Sequence, residues 1–259
     1  MNSESPRSHD TLTLIAIGVV SYIFADLCHE ALGHALVCLI TGGKVLVLTS
    51  VFFRSDPGSR LVDAAGPCAN LLAGAVLLMA LARARKVSLP TRLFLVFAMA
   101  FNFFWGAGYF LYSGVADEGD WALVIRGLPA PMFWRAALVV LGLVGYSLAT
   151  RLVARAVGGF AVGSDIRRLV LIPYVAAGVA ACLAALFDRG DPSGALAGAA
   201  RETFLANVVM LALPGLIARR PITAGENHGY VKRSFGWLAA SAIILLLFVA
   251  LMGRGLRPG

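Results

Sequence analysis

Charge is what this sequence lacks. Of its 259 residues only 14% are charged while 59% are hydrophobic, against about 25% charged and 45–50% apolar in an ordinary soluble domain. Too little polar surface remains to cover a water-soluble globule, which excludes a soluble enzyme and a disordered chain. Cysteine is scarce as well. Cys28, Cys38, Cys68 and Cys182 fall in apolar stretches with no C-x-x-C pair, which excludes a disulfide-stapled secreted domain and reads as four small buried hydrophobes. The net charge of +8 has no folded basic domain behind it. Nucleic acid is therefore not an expected partner, and cationic loops against anionic lipid headgroups account for the excess.

What the chain has in abundance is uninterrupted apolar sequence. Roughly 20 apolar residues cross a bilayer core of about 30 Å, and runs of that kind lie near 12–40, 61–82, 91–112, 131–150, 169–187, 194–218 and 235–252. They predict an all-α polytopic protein, one integral membrane domain over 1–259 with about seven transmembrane helices. The stretch KVLVLTSVFFRSDPGSR after the first run is β-branched, aromatic and closed by a D-P-G turn signal. It is too short to span, and predicts a short membrane-associated β-hairpin. The connectors at 83–92, 151–168 and 219–233 hold four Lys or Arg each, which places the N-terminus inside and the C-terminus outside.

Ionisable groups at membrane depth are costly and point to function. The densest set is Asp26, His29, Glu30 and His34, in FADLCHEALGHALVCL. Two imidazoles and a carboxylate are the makings of a metal site. In the zinc motif H-E-x-x-H the histidines stand at i and i+4 on one helix face, and the Glu activates a water. Here they stand five apart, which on a regular helix turns them roughly 140° from one another. Two grips are open. A one-turn π-bulge would absorb the surplus residue, with Gly33 permitting the distortion. Alternatively the helix stays regular and Glu30 and His34, at i and i+4, are the ligands.

The order HEALGHALVCLITGG, a β-prone stretch, then AAGPCANLLAGAVLL resembles the site-2 protease family of intramembrane zinc metalloproteases, as a divergent member. The second helix of that family carries G-P-x-x-N, matched by Gly66, Pro67 and Asn70. The resemblance covers about 20–125. It implies a metalloprotease-like core over about 12–125 with additional transmembrane helices over 131–253, in a bacterial cytoplasmic membrane. It also implies a third, aspartate ligand on the third core helix, usually in N-x-x-P-x-x-D-G. The corresponding FNFFWGAGYFLYSGVADEGDW has no such proline but offers Asn102, Asp117, Glu118 and Asp120. Asp120 is the preferred choice, because Trp121 beside it is an interfacial aromatic that fixes depth. Spans one and three run parallel, so His29, His34 and Asp120 fall toward the same membrane face.

The implied activity is zinc-dependent cleavage of a membrane-embedded peptide or membrane-protein substrate. Zinc would be held by His29, His34 and Asp120, Glu30 would act as general base, and Asn70 would be a candidate for substrate or oxyanion contact or a bridge between helices. A metal-binding scaffold without activity and an ion- or proton-coupled transporter are the alternatives. Arg201, Glu202 and Asn207 form a second polar set expected to serve helix packing or interfacial anchoring. His9 and His228 are expected to be solvated.

Overall fold

A computed structural model describes residues 8–84, 86–160, 165–218 and 229–257. Arg85, Arg219, Arg220 and His228, part of the charge and histidine reading above, lie outside them. The first apolar run is α1 (Thr11–Leu27), a π-helical segment (Cys28–Ala35) and α2 (Leu36–Ile40). Asp10 caps it, its carboxylate accepting from the Thr13 backbone N–H at 2.9 Å, one of the orphan donors of a helix start. The hairpin follows as β1 (Lys44–Leu48) and β2 (Phe53–Asp56), antiparallel with a bulge between Val45 and Val47.

Long helices α3 (Arg60–Arg83) and α4 (Leu89–Ala116), a short α5 (Asp120–Ile125), and the long α6 (Pro131–Gly158) and α7 (Ile166–Ala185) come next. The chain closes with α10 (Phe235–Phe248) and a π-turn at Val249–Gly253. Helix α4 is the hub. Its Phe97, Phe101, Phe104 and Trp105 are wholly buried among α1, α3 and α6. By contrast Leu72 of α3, Val144 of α6 and Leu246 of α10 are exposed. Large apolar side chains on outer faces are what a lipid-bathed bundle presents.

The helices long and apolar enough to cross a membrane number six among the described residues, not seven. The run expected as a span over 194–218 is cut into α8 (Pro192–Ala200), a π-turn (Arg201–Leu205), a 3-10 turn (Val208–Leu211) and α9 (Leu213–Ala218). Hydropathy sums composition and does not see a backbone break. This stretch nonetheless carries the chain back across the bundle. Arg168 at the start of α7 donates to Thr11 Oγ1 at 2.8 Å, and Asp10 N–H donates to Val231 O at 2.8 Å. Both α7 and α10 thus start beside the start of α1, and what joins them must return. At the opposite end Leu256 pairs with Leu48 of β1.

Two smaller expectations change. His9 is buried, not solvated: its backbone N–H donates to Asp165 at 2.9 Å and its Nδ1 accepts from Val231 N–H at 3.0 Å. Burial lowers its pKa, partly opposed by the Asp165 charge. Cys28 and Cys38 are buried as expected, whereas Cys68 is exposed; all four thiols are free.

Candidate metal centre

The backbone adopts the first of the two open grips. Through Cys28–Ala35 the helix is π-helical, and the N–H of Leu36 reaches back to Ala31 O, five residues. That extra residue per turn brings side chains at i and i+5 onto one face. His29 and His34 therefore converge, their Nε2 atoms 3.2 Å apart. The loop after α4 supplies the third group. Asp117 ends the helix in the left-handed region (φ 60°) and Gly119 follows at φ 81°, a conformation that glycine takes without a Cβ penalty. The chain turns back so that α5 opens on Asp120, and Trp121 is stacked on Phe110 of α4 at 4.6 Å. Asp120 Oδ2 then lies 3.1 Å from His29 Nε2 and 3.4 Å from His34 Nε2. These residues form a group that could hold a metal ion.

Neighbours of Asp120 are spoken for elsewhere. Asp117 faces Arg135 at 3.6 Å. Glu118 accepts from the Tyr112 hydroxyl and lies 3.6 Å from Arg201.

The tautomers follow from the surrounding hydrogen bonds. His34 Nδ1 is 2.7 Å from Val62 O, an acceptor only, so Nδ1 carries the proton. His29 Nδ1 is 2.6 Å from Asn70 Oδ1. The Asn70 amide is oriented by its own donors, which reach Ala25 O and Asn102 Oδ1, each at 2.9 Å. Asn102 is oriented in turn by donating to Ala98 O at 2.8 Å. Both histidines thus point a lone pair from Nε2 toward Asp120, whose Oδ2 is buried without a hydrogen-bonding partner. Three lone pairs at this separation repel unless a cation lies among them. A proton shared between two would leave the third unmet, whereas a metal ion meets all three.

The spacing fits as well. Ligands about 2.0–2.1 Å from a tetrahedral ion stand roughly 3.3 Å from each other, and the three edges here are 3.1, 3.2 and 3.4 Å. Three protein ligands leave a tetrahedral ion one open position, as in catalytic rather than structural sites.

Helix α3 explains the Gly-Pro-x-x-Asn signature. Gly33 and Gly66 cross at backbone contact, so that a Cβ on Gly33 would meet Gly66 Cα at 2.6 Å. A Cβ on Gly66 would collide with His34 Nε2 and come within 2.8 Å of His29 Nε2. Asn70, the candidate for substrate or oxyanion contact or a bridge between helices, is wholly buried, and both its N–H groups are engaged by Ala25 O and Asn102 Oδ1. It orients His29, the outer-shell part that metal-ligating histidines require.

Glu30 is buried, and its Oε2 has no partner. The sequence reading missed the aromatic walls: Trp105 stacks on His29 at 5.1 Å, Tyr109 lies 5.2 Å from it, and Phe53 of β2 stacks on His34 at 5.2 Å. A signal existed for part of this. Asn102, Trp105 and Tyr109 stand at i, i+3 and i+7, one face of a helix. Arg201 lies over the Tyr112 ring at 4.8 Å, Tyr109 donates to Glu202 Oε1 at 3.2 Å, and Asn207 donates to Thr203 O at 2.9 Å. Comparison with family models, curated proteins and solved structures finds no match to this chain.

Proposed function

We propose that this chain is a zinc-dependent intramembrane endopeptidase, resembling the site-2 proteases, that cleaves membrane-embedded peptide segments. The observation that carries this reading is the convergence of His29 Nε2, His34 Nε2 and Asp120 Oδ2 at 3.1–3.4 Å, with Glu30 buried on the same π-helical segment as the histidines. His29, His34 and Asp120 would hold the ion. Zinc, when bound, supplies Lewis acidity, polarising a carbonyl and acidifying a water.

The chain's own residues do the rest. Glu30 accepts a proton from the attacking water and delivers it to the departing amide nitrogen, the task of a positioned general acid–base. Its oxygen without a partner is free for that exchange. Asn70 and the Val62 carbonyl hold both imidazoles in the tautomer that leaves Nε2 open. Trp105 and Phe53 stack on the two imidazoles. Composition of donors favours zinc, since imidazole and carboxylate with an open fourth position is its catalytic set.

Chelation tests this reading. Cleavage of a membrane-embedded peptide by the purified chain should vanish when metal is removed and return when zinc is added. Cleavage undiminished after complete metal removal would refute it.

A further inference from the structure

Helix α4, α6 and the broken stretch enclose a second feature, a cavity of about 360 Å³, at the low end of ligand pockets, which run about 300–1,000 Å³. Its walls are mostly apolar, with Arg201 and Glu202 as the charged residues among them. Glu202, in the π-turn Arg201–Leu205, lines the cavity with its side chain buried. Glu202 Oε1 accepts from the Tyr109 hydroxyl at 3.2 Å, while Oε2 is buried with no partner. The adjacent guanidinium does not supply one. Arg201 lines the same cavity, but its guanidinium lies over the Tyr112 ring and 3.6 Å from Glu118. A buried carboxylate oxygen without a donor is costly, so the cavity is shaped for an apolar body bearing a strong donor. Tyr109 is also a wall of the metal centre, 5.2 Å from His29. The cavity therefore begins one ring away from the reacting position.

We infer that this cavity receives the leaving half of the cleaved peptide, its new α-amino group on Glu202 Oε2 and its first apolar side chain among Gly108, Tyr146 and Leu205. The inference rests on the peptidase reading and names where the product goes. Hydrolysis breaks the peptide C–N bond; the water oxygen joins the acyl carbon, and the nitrogen gains a proton. The second fragment thus acquires an amine with a pKa near 7.7–8.0, cationic at neutral pH. Within a membrane that cation needs a carboxylate, and Glu202 is the buried carboxylate lining this cavity.

Binding of two peptides to the purified full chain in detergent tests this without requiring turnover. Leucyl-leucine amide carries a free α-amino group; its N-acetyl form is the same apolar body without the charge. The wild type should bind the free amine about 10-fold or more tightly, the size of a charge-assisted hydrogen bond. Glu202→Gln keeps an acceptor for Tyr109 and should erase that preference while zinc content is unchanged. Equal binding of the two peptides by the wild type, or a preference that survives Glu202→Gln, would overturn the inference. Should Glu202→Gln fail to fold, Leu205→Trp fills the cavity from its lipid side and must abolish binding of the free amine; undiminished binding there also overturns it. An amine preference in a chain that cleaves nothing would uphold the cavity and refute the peptidase reading. Cleavage without the preference would do the reverse.

Discussion

Glu30→Gln should bring cleavage of a membrane-embedded peptide down by about 10²–10⁴-fold, the contribution of a positioned general acid–base, and leave the metal in place. Glutamine preserves size and most hydrogen bonding but cannot take a proton from water. The geometry separates this role from ligation. The three converging donors come from His29, His34 and Asp120, and Glu30 is not among them. Paired measurement of metal content and cleavage in wild type and mutant decides the matter. Metal lost along with activity would make Glu30 a ligand instead; cleavage retained at the wild-type rate would remove it from the mechanism.

Gly66→Val should empty the centre without touching any ligand. A Cβ at this position would run into His34 Nε2 and stand 2.7 Å from His34 Cε1 and 2.8 Å from His29 Nε2, distances real Cβ atoms do not tolerate. Either both imidazoles swing away or α3 retreats from the π-helical segment, and α3 also carries Asn70 and the Val62 carbonyl that orient those imidazoles. Loss of such outer-shell support alone costs about 10–100-fold in metal affinity, so displacement of the ligands themselves should exceed 100-fold. Gly74→Ala, on the same helix but against Phe103, is the control, since its contact lies away from the histidines. Metal affinity in Gly66→Val equal to that in Gly74→Ala would show that the crossing does not position the site.

Much of this was legible in one dimension. Histidines five apart on an apolar run admit few solutions, and the π-helical segment is the one that brings them together without moving either off the helix. The hairpin was legible because β-branched residues closed by a turn signal leave little else for a stretch too short to span. The third carboxylate was less so. Asp117, Glu118 and Asp120 are near-equivalent in sequence; what separates them is Arg135 from α6 and Arg201 from the broken stretch, partners that sequence proximity does not announce. Asn70 was read as a possible substrate donor because its engagement depends on Asn102 and Ala25, 32 and 45 residues away. The interruption at 201–211 was hidden for another reason. Its residues are apolar enough for a span, and the freed backbone groups find partners in distant side chains, such as Tyr146 donating to Ala206 O and Tyr174 donating to Phe204 O, each at 2.8 Å. His9 looked solvated because its partners, Asp165 and Val231, arrive from helix ends far along the chain.

The central claim is that two histidines of one π-helical segment and an aspartate at the start of α5 hold one zinc ion. Elemental analysis of the purified wild-type chain beside His34→Ala tests it most directly. One zinc per wild-type chain, with most of it lost from His34→Ala, is the expected result, because the variant removes one of three lone pairs and leaves an incomplete shell. A wild-type chain without stoichiometric metal, or one whose zinc is unchanged by His34→Ala, would contradict the account.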